Sequence, residues 1–263
     1  MVKRFTKRIL AQLGFEVRRT QSDTLERFRA GTDGFVDQRE ILAGTQAAVI
    51  FDVGAHHGQT TARYREIFPA ASVLAFEPFP EAFAILRKRF SSDHLVTLVG
   101  MALSELDGQA AFFSNRADYT NSLLPPDPRA TPWVPAETTA SLSQIEVRTR
   151  SLDSFCSEHQ IERISILKTD VQGAEVQLLQ GASRMLKGHR IDLLYLEVLF
   201  APLYQAQAAF CDLLDFLGPK GYRLVGLYDL HRGNNGFAGW ADALFVRDDF
   251  PIPDGFKGHH GVT

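Results

Sequence analysis

Phe51-Asp52-Val53-Gly54-Ala55-His56-His57-Gly58-Gln59-Thr60 joins an apolar run to a helical pattern through a Gly-x-x-x-Gly turn, and its reading decides the fold. Glycine at 54 and 58 lets the backbone bend tightly and come close to a ligand. The helix expected next, over 58–67, offers free N–H donors to a polar or anionic group. The turn is not Gly-x-Gly-x-x-Gly, so the dinucleotide fingerprint fails at its second glycine.

On both sides of this turn, short β-branched or aromatic runs alternate with helical periodicities, which argues for an α/β fold. Strands are expected at 48–53, 72–76, 96–99, 164–169, 192–198, 222–227 and 243–247. Helices are expected near 58–67, 80–90, 174–186 and 205–217. Val49-Ile50-Phe51, Ile164-Ser165-Ile166-Leu167 and Leu193-Leu194-Tyr195-Leu196 are almost continuously apolar, as central parallel strands covered on both faces are. An open parallel sheet follows, and such sheets bind ligands beyond the carboxyl ends of their strands. The acidic residues that close these runs, Asp52, Glu77, Asp170 and Glu197, are therefore candidate site residues. Helix capping is the structural use of the same residue type at the same place.

The chain has 263 residues, 45% of them hydrophobic and 22% charged, so it can bury a core without a disulfide or metal staple. A formal net charge of -3 lacks the electrostatic footprint of a duplex-binding protein, and nucleic acid is not expected as a partner. Cys156 and Cys211 are far apart, with no second cysteine or clustered histidine nearby, so neither a zinc site nor a disulfide framework is read from them. A reducing, cytoplasmic setting is expected. No run reaches the roughly 18 apolar residues of a membrane-spanning helix. Lys3, Arg4, Lys7 and Arg8 around Phe5, Ile9, Leu10 and Leu13 predict a short basic amphipathic helix. Such a helix packs on its own domain, or touches an anionic membrane surface or a partner.

The segment 114–144 breaks the rhythm. Pro125, Pro126, Pro128, Pro132 and Pro135 exclude regular structure through its middle, and its flanks, 109–113 and 145–150, read as two short strands. A loop of this length inside a compact domain reads as an insertion over the site, the alternative being a plain surface excursion. Residues 1–44 are expected as a helical extension, 45–250 as the α/β domain and 251–263 as a tail. Exposed aromatic residues such as Trp133 and Phe237 suit a substrate groove or a subunit interface, and the oligomeric state stays open.

Glu77, in Phe76-Glu77-Pro78, ends the strand after the glycine turn, where an acidic side chain accepts both hydroxyls of a ribose. Taken in order, these features resemble an S-adenosylmethionine-dependent methyltransferase. Asp52 to Gln59, Phe76-Glu77-Pro78, Asn121-Ser122, Ser151-Leu152-Asp153 and Lys168-Thr169-Asp170-Val171-Gln172-Gly173-Ala174-Glu175 are similar to the landmarks of the FkbM family. The similarity runs in family order over roughly residues 45 to 247. Gln172 stands where the family usually places Glu, so whatever a carboxylate contributes there is in doubt.

The resemblance implies a Rossmann-like class I methyltransferase fold, a mostly parallel open sheet with an antiparallel last strand and helices on both faces. It implies S-adenosylmethionine as methyl donor and O-methylation of a sugar, glycan or natural-product hydroxyl. By match, Asp52, Gly54, Ala55, His56 and Gly58 would lie along the methionine portion and the ribose. Glu77 and Pro78 would hold the ribose, and Ala102, in the turn 100–104, would lie near adenine. Asn121 and Ser122 would close over cofactor or substrate, and Asp170 would face the methyl group and the acceptor.

Methyl transfer from a sulfonium is an in-line displacement, so positioning an acceptor oxygen at about 3 to 3.5 Å is the main task. A base near the acceptor helps, because a sugar hydroxyl is a poor nucleophile at neutral pH. Asp170 is the expected base, with Lys168 and Glu197 in support and His57 as a further candidate; His231 reads as a turn residue that could reach over the site. A divalent metal such as Mg²⁺ is not favoured: Asp170 and Glu197 offer two hard oxygen ligands, but the sequence defines no third. Two other readings remain open. A Rossmann-type nucleotide-binding oxidoreductase shares the strand, glycine turn and acidic ribose holder, and a non-catalytic cofactor-binding module would keep the fold without turnover.

Overall fold

Successive residues of a strand point to opposite faces of its sheet, and both faces of the central runs carry a core. Ile50, Ile166 and Leu193 pack with Tyr64, Leu86 and Tyr228 on one face. Phe51, Leu167 and Leu194 pack with Phe155, Leu178 and Leu213 on the other. Leu167 and Leu194 are fully buried, and each such side chain contributes roughly 2 to 3 kcal/mol. This two-faced burial is why the runs read as continuously apolar.

The computed structural model describes residues 33–45, 47–254 and 256. The basic helix expected around Ile9, Leu10 and Leu13 lies outside the described residues, as does most of the tail. In chain order the elements are α1 (Gly34–Ile41), β1 (Val49–Val53), α2 (Gln59–Ile67), β2 (Ser72–Phe76), α3 (Pro80–Arg89), β3 (Val96–Val99), β4 (Ala102–Leu103) and β5 (Gly108–Asn115). There follow β6 (Ser141–Arg150), α4 (Leu152–Glu158), β7 (Ile164–Thr169), α5 (Glu175–Gln180), α6 (Ser183–Lys187) and β8 (Ile191–Leu199). The last are α7 (Phe210–Leu217), β9 (Tyr222–Arg232) and β10 (Ala238–Arg247). Among the described residues, none lies in a helix long and apolar enough to cross a membrane.

The main sheet has the order β3-β2-β1-β7-β8-β10-β9. Its first five strands are parallel, and β10 runs antiparallel to both β8 and β9. This is the mostly parallel sheet with an antiparallel last strand that the sequence implied. Helices α1, α2 and α3 supply Ile41, Tyr64 and Leu86 to one face. The helices from α4 to α7 supply Phe155, Leu178, Met185 and Leu213 to the other. A smaller sheet, β4-β6-β5, carries the insertion.

Three expectations need correction. The helix expected over 174–186 is two short helices, because Gly181 between them packs against the chain: a Cβ there would meet the Ser104 carbonyl oxygen at 2.1 Å. The helix expected over 205–217 starts at Phe210, where the Asp212 carboxylate accepts the Ala209 N–H at 2.8 Å and fixes the first turn. Strands β9 and β10 outrun the apolar patterns at 222–227 and 243–247, because they extend together as a hairpin whose outer part includes the exposed Leu230 and His231.

Candidate active site

The glycine turn after β1 is held open by backbone. Gly54 has φ +73°, and a Cβ on it would meet the Asp170 carbonyl oxygen at 1.9 Å, so only glycine fits between this turn and the loop after β7. The Gly54 and Ala55 N–H groups donate to Phe76 O at 3.1 and 2.9 Å, which fixes the turn against the end of β2. Glu77 then ties both turns together. Its Oε2 accepts the His56 N–H and its Oε1 the Phe79 N–H, each at 2.8 Å. Burial raises the Glu77 carboxyl, and the Phe79 and His56 N–H groups pull it partly back.

These turns wall a cleft of about 990 Å³, open in part to solvent. Gly54, Ala55 and His56 line it from β1, Glu77 and Pro78 from β2, and Lys168 and Asp170 from β7. Met101, Ala102 and Leu103 close one end, and Asp118, Tyr119, Asn121 and Leu123 of the insertion cover it. The donor set fits a nucleoside ligand such as S-adenosylmethionine. Each Glu77 oxygen keeps a second lone pair for a ribose hydroxyl. Asn121 Oδ1 accepts the Asn115 N–H at 2.7 Å, while its buried Nδ2 has no protein partner.

A charged floor lies beneath the cleft. Asp52 and Lys168 are cross-strand neighbours in the β1–β7 register, and Lys168 Nζ lies 3.2 Å from Asp52 Oδ1 and 3.8 Å from Asp170 Oδ2. Thr61 of α2 donates to Asp52 Oδ2 at 2.5 Å. Burial alone would discharge Lys168, but Asp52 and Asp170 outweigh it and hold the ammonium charged. Lys168 also donates to Gly54 O at 3.3 Å.

A second cavity, of about 730 Å³, adjoins the first and shares Tyr119 and Gln172 with it. Trp133 and Thr138 of the insertion, Glu197 of β8, Tyr204, Arg232 and Trp240 line it. Gln172, at φ 56°, joins the two spaces: its Nε2 donates to Asp170 Oδ1 and to Glu197 Oε2, both at 2.7 Å. Its Oε1 lies 2.8 Å from Tyr204 Oη, which also meets Thr120 O at 2.8 Å. Glu197 is in register with Asp242 of β10. Burial, then the charges of Asp170, Glu175 and Asp242, push the Glu197 carboxyl well up. Burial takes Glu175 to about 7 and Asp242 to about 6.

Of the residues singled out in the sequence, Gly54, Ala55, His56, Glu77, Pro78, Ala102, Asn121, Lys168 and Asp170 come together around the first cleft. Others do not line it, Glu197 lying in the second cavity. Asp52 is sealed inside β1 under Lys168 and Thr61. Gly58 caps α2, where a Cβ would strike Phe90 and Leu86. His57 turns to Asp118. Ser122 binds the loop after β7, donating to Gln172 O at 2.7 Å. His231 lies in β9, stacked on Trp240 with ring centres 5.2 Å apart, and does not reach over the site. The sequence reading missed Asp118, Tyr119 and Tyr204; their places in irregular segments carry no periodic signal.

Residues 52–224 match the methyltransferase FkbM domain. The 2-O-methyltransferase NoeI of Sinorhizobium fredii (strain NBRC 101917 / NGR234) is 30% identical over 178 residues, which cover 64% of this chain and 70% of that protein. Methyltransferase 1 of Beauveria bassiana (strain ARSEF 2860) is 24% identical over 50% of this chain and 57% of its own length. Methyltransferase sdnD of Sordaria araneosa is 26% identical over 50% and 59%. The chain thus spans under two thirds of the latter two relatives. Among solved structures, the METTL16 MTase domain aligns with a TM-score of 0.47 at 10% identity, over 81% of this chain and 65% of that one. With its family match running from the end of β1 into β9, the chain belongs to the FkbM family of S-adenosylmethionine-dependent methyltransferases.

Proposed function

We propose that the chain methylates a hydroxyl group of a sugar, glycan or related natural product, with S-adenosylmethionine in the first cleft and the acceptor in the second. One observation carries this reading: the two cavities meet at Gln172 and Tyr119, beside Asp170, so donor and acceptor have separate rooms with a common wall. The similarity to a 2-O-methyltransferase supports a hydroxyl as the target. Aromatic faces at Trp133, Trp240 and Tyr204 beside polar Glu197 and Arg232 suit a ring with an apolar face and hydroxyl edges. The formal net charge of -3 supports a small molecule over a nucleic acid. The two cysteines, one buried and one exposed, are free, which accords with a cytoplasmic setting.

Bound S-adenosylmethionine supplies an electrophilic methyl group on a sulfonium. Glu77, Asn121 and the Gly54–Ala55 turn hold that ligand. Asp170 is the base that takes the acceptor proton, at 41% side-chain exposure and fixed from two sides by Gln172 and Lys168. Lys168 and Asp52 are positioning residues. Tyr204 and Gln172 fix Glu197 at the wall of the acceptor cavity.

The test is methyl incorporation from labelled S-adenosylmethionine into a panel of hydroxylated glycosides, beside calorimetry with S-adenosylhomocysteine. Asp170→Asn should keep S-adenosylhomocysteine affinity within about threefold and lose transfer by about a hundredfold or more, as removal of a general base does. Incorporation only into nucleic acid, with none into any hydroxylated small molecule, would overturn the acceptor assignment.

A further inference from the structure

The rim of the cofactor cleft carries a cluster that takes no step in the proposed methyl transfer. His56 and His57 come from the glycine turn, and Asp118 from the 3-10 turn Asp118–Thr120 of the insertion. Asp118 Oδ2 lies 3.1 Å from His56 Nε2 and 3.3 Å from His57 Nε2. The two imidazoles stack with centres 3.7 Å apart, and one ligand atom from each of the three residues lies within 4.8 Å of the other two. His56 adopts φ 48°, a left-handed backbone that costs a non-glycine residue roughly 1 to 2 kcal/mol.

The convergence of His56 on Asp118 is not a hydrogen bond. His56 Nε2 is buried and has no hydrogen-bond partner, although the carboxylate oxygen is 3.1 Å away. An ion held in the plane of each imidazole would supply the missing partner once the two stacked rings turn their Nε2 atoms toward it. A tetrahedral ion with bonds of about 2.1 Å spaces its ligands about 3.4 Å apart, and an octahedral one about 3.0 Å. The two separations here fall between those limits. Two imidazole nitrogens with one carboxylate oxygen suit Zn²⁺ and its first-row neighbours better than Mg²⁺ or Ca²⁺.

We propose that His56, His57 and Asp118 bind one divalent transition-metal ion, which fastens the insertion to the glycine turn at the edge of the cleft. Three protein ligands leave further coordination positions for water or a ligand. His56 and Asp118 also line the cleft, so the ion and the cofactor share a wall. Their affinities are then coupled, and each raises the other by the same factor.

The site is tested with the tag-free protein, freed of metal with a chelator and titrated with Zn²⁺ by calorimetry. The other three-residue cluster among the described residues, His189 with Asp248 and Asp249, has two exposed members and supplies the control. One ion should bind with micromolar or tighter affinity. His57→Ala and Asp118→Asn should each weaken it by about tenfold or more, as loss of a metal ligand does, while His189→Ala leaves it unchanged. Co²⁺ in the unaltered protein should give a ligand-field spectrum without a thiolate charge-transfer band, a readout that needs no variant to fold. Zn²⁺ should tighten S-adenosylhomocysteine binding by about threefold or more, and not in Asp118→Asn. No stoichiometric binding, binding lost only in His189→Ala, or a thiolate spectrum would overturn the site. Zn²⁺ bound there without any change in S-adenosylhomocysteine affinity would overturn the fastening. Metal binding is read without the methyltransfer reaction, so its failure is distinct from a wrong acceptor.

Discussion

Glu77 satisfies two backbone N–H groups from two different turns, so its loss disturbs both at once. Glu77→Ala strands both donors, at roughly 1 to 3 kcal/mol for each that stays buried. S-adenosylhomocysteine affinity should fall by about tenfold or more in calorimetry, with Glu77→Gln intermediate because its amide oxygen keeps one acceptor. An unchanged affinity in Glu77→Ala would remove it from the cofactor site. Glu77 and Asp170 were legible because an acid that closes an apolar run stands at the carboxyl end of a strand, where open parallel sheets bind ligands. Asp52 and Glu197 looked the same in sequence, yet both lie inside strands, and only the register shows their partners, Lys168 and Asp242. Asp118 and Tyr204 were not legible. Their roles rest on contacts with residues about 60 and 30 positions away, across irregular segments that periodicity does not describe.

At the scale of the element, the sheet was legible because burial on two faces writes itself into β1, β7 and β8 as almost continuously apolar runs. The break between α5 and α6 was not, since the apolar stripe through Leu179, Ala182 and Leu186 continues across it. What divides the helix is a close approach of Gly181 to Ser104, a tertiary contact with no local signature. The insertion was legible as irregular from its prolines, and the structure sets it over both cavities. Trp133 is its anchor: it packs against Gly233, where a Cβ would lie 2.8 Å from the indole, and it lines the second cavity. Trp133→Ala should raise the acceptor KM by about tenfold, the loss of one aromatic face, while S-adenosylhomocysteine affinity stays within about twofold. A parallel loss of cofactor affinity would mean that Trp133 supports the whole lid and not the acceptor wall.

For the whole molecule, the buried acids set the pH dependence of stability. Glu77, Glu175, Glu197 and Asp242 all have carboxyls raised by burial, so the folded state holds protons that the unfolded chain releases. Their contribution is complete below the unfolded values and is lost as pH rises through the folded ones. For Glu175 that window runs from 4.5 to about 7. Glu175→Gln keeps an acceptor for the Val171 N–H, which Glu175 Oε1 takes at 3.0 Å, and removes the titration. In denaturant titrations, the variant should gain stability relative to the parent on going from about pH 5 to about pH 8, by roughly 2 to 3 kcal/mol. Equal pH profiles for the two would place the Glu175 proton elsewhere.

Strand β10 is the last described strand in the chain, yet it sits between β8 and β9 and brings Trp240 to the acceptor cavity. In a nascent chain leaving the ribosome, β8 therefore has an unpaired edge and β9 no strand to join until β10 is made. Until residues 238–247 emerge, that edge is open to wrong partners, the stage at which a chaperone matters most.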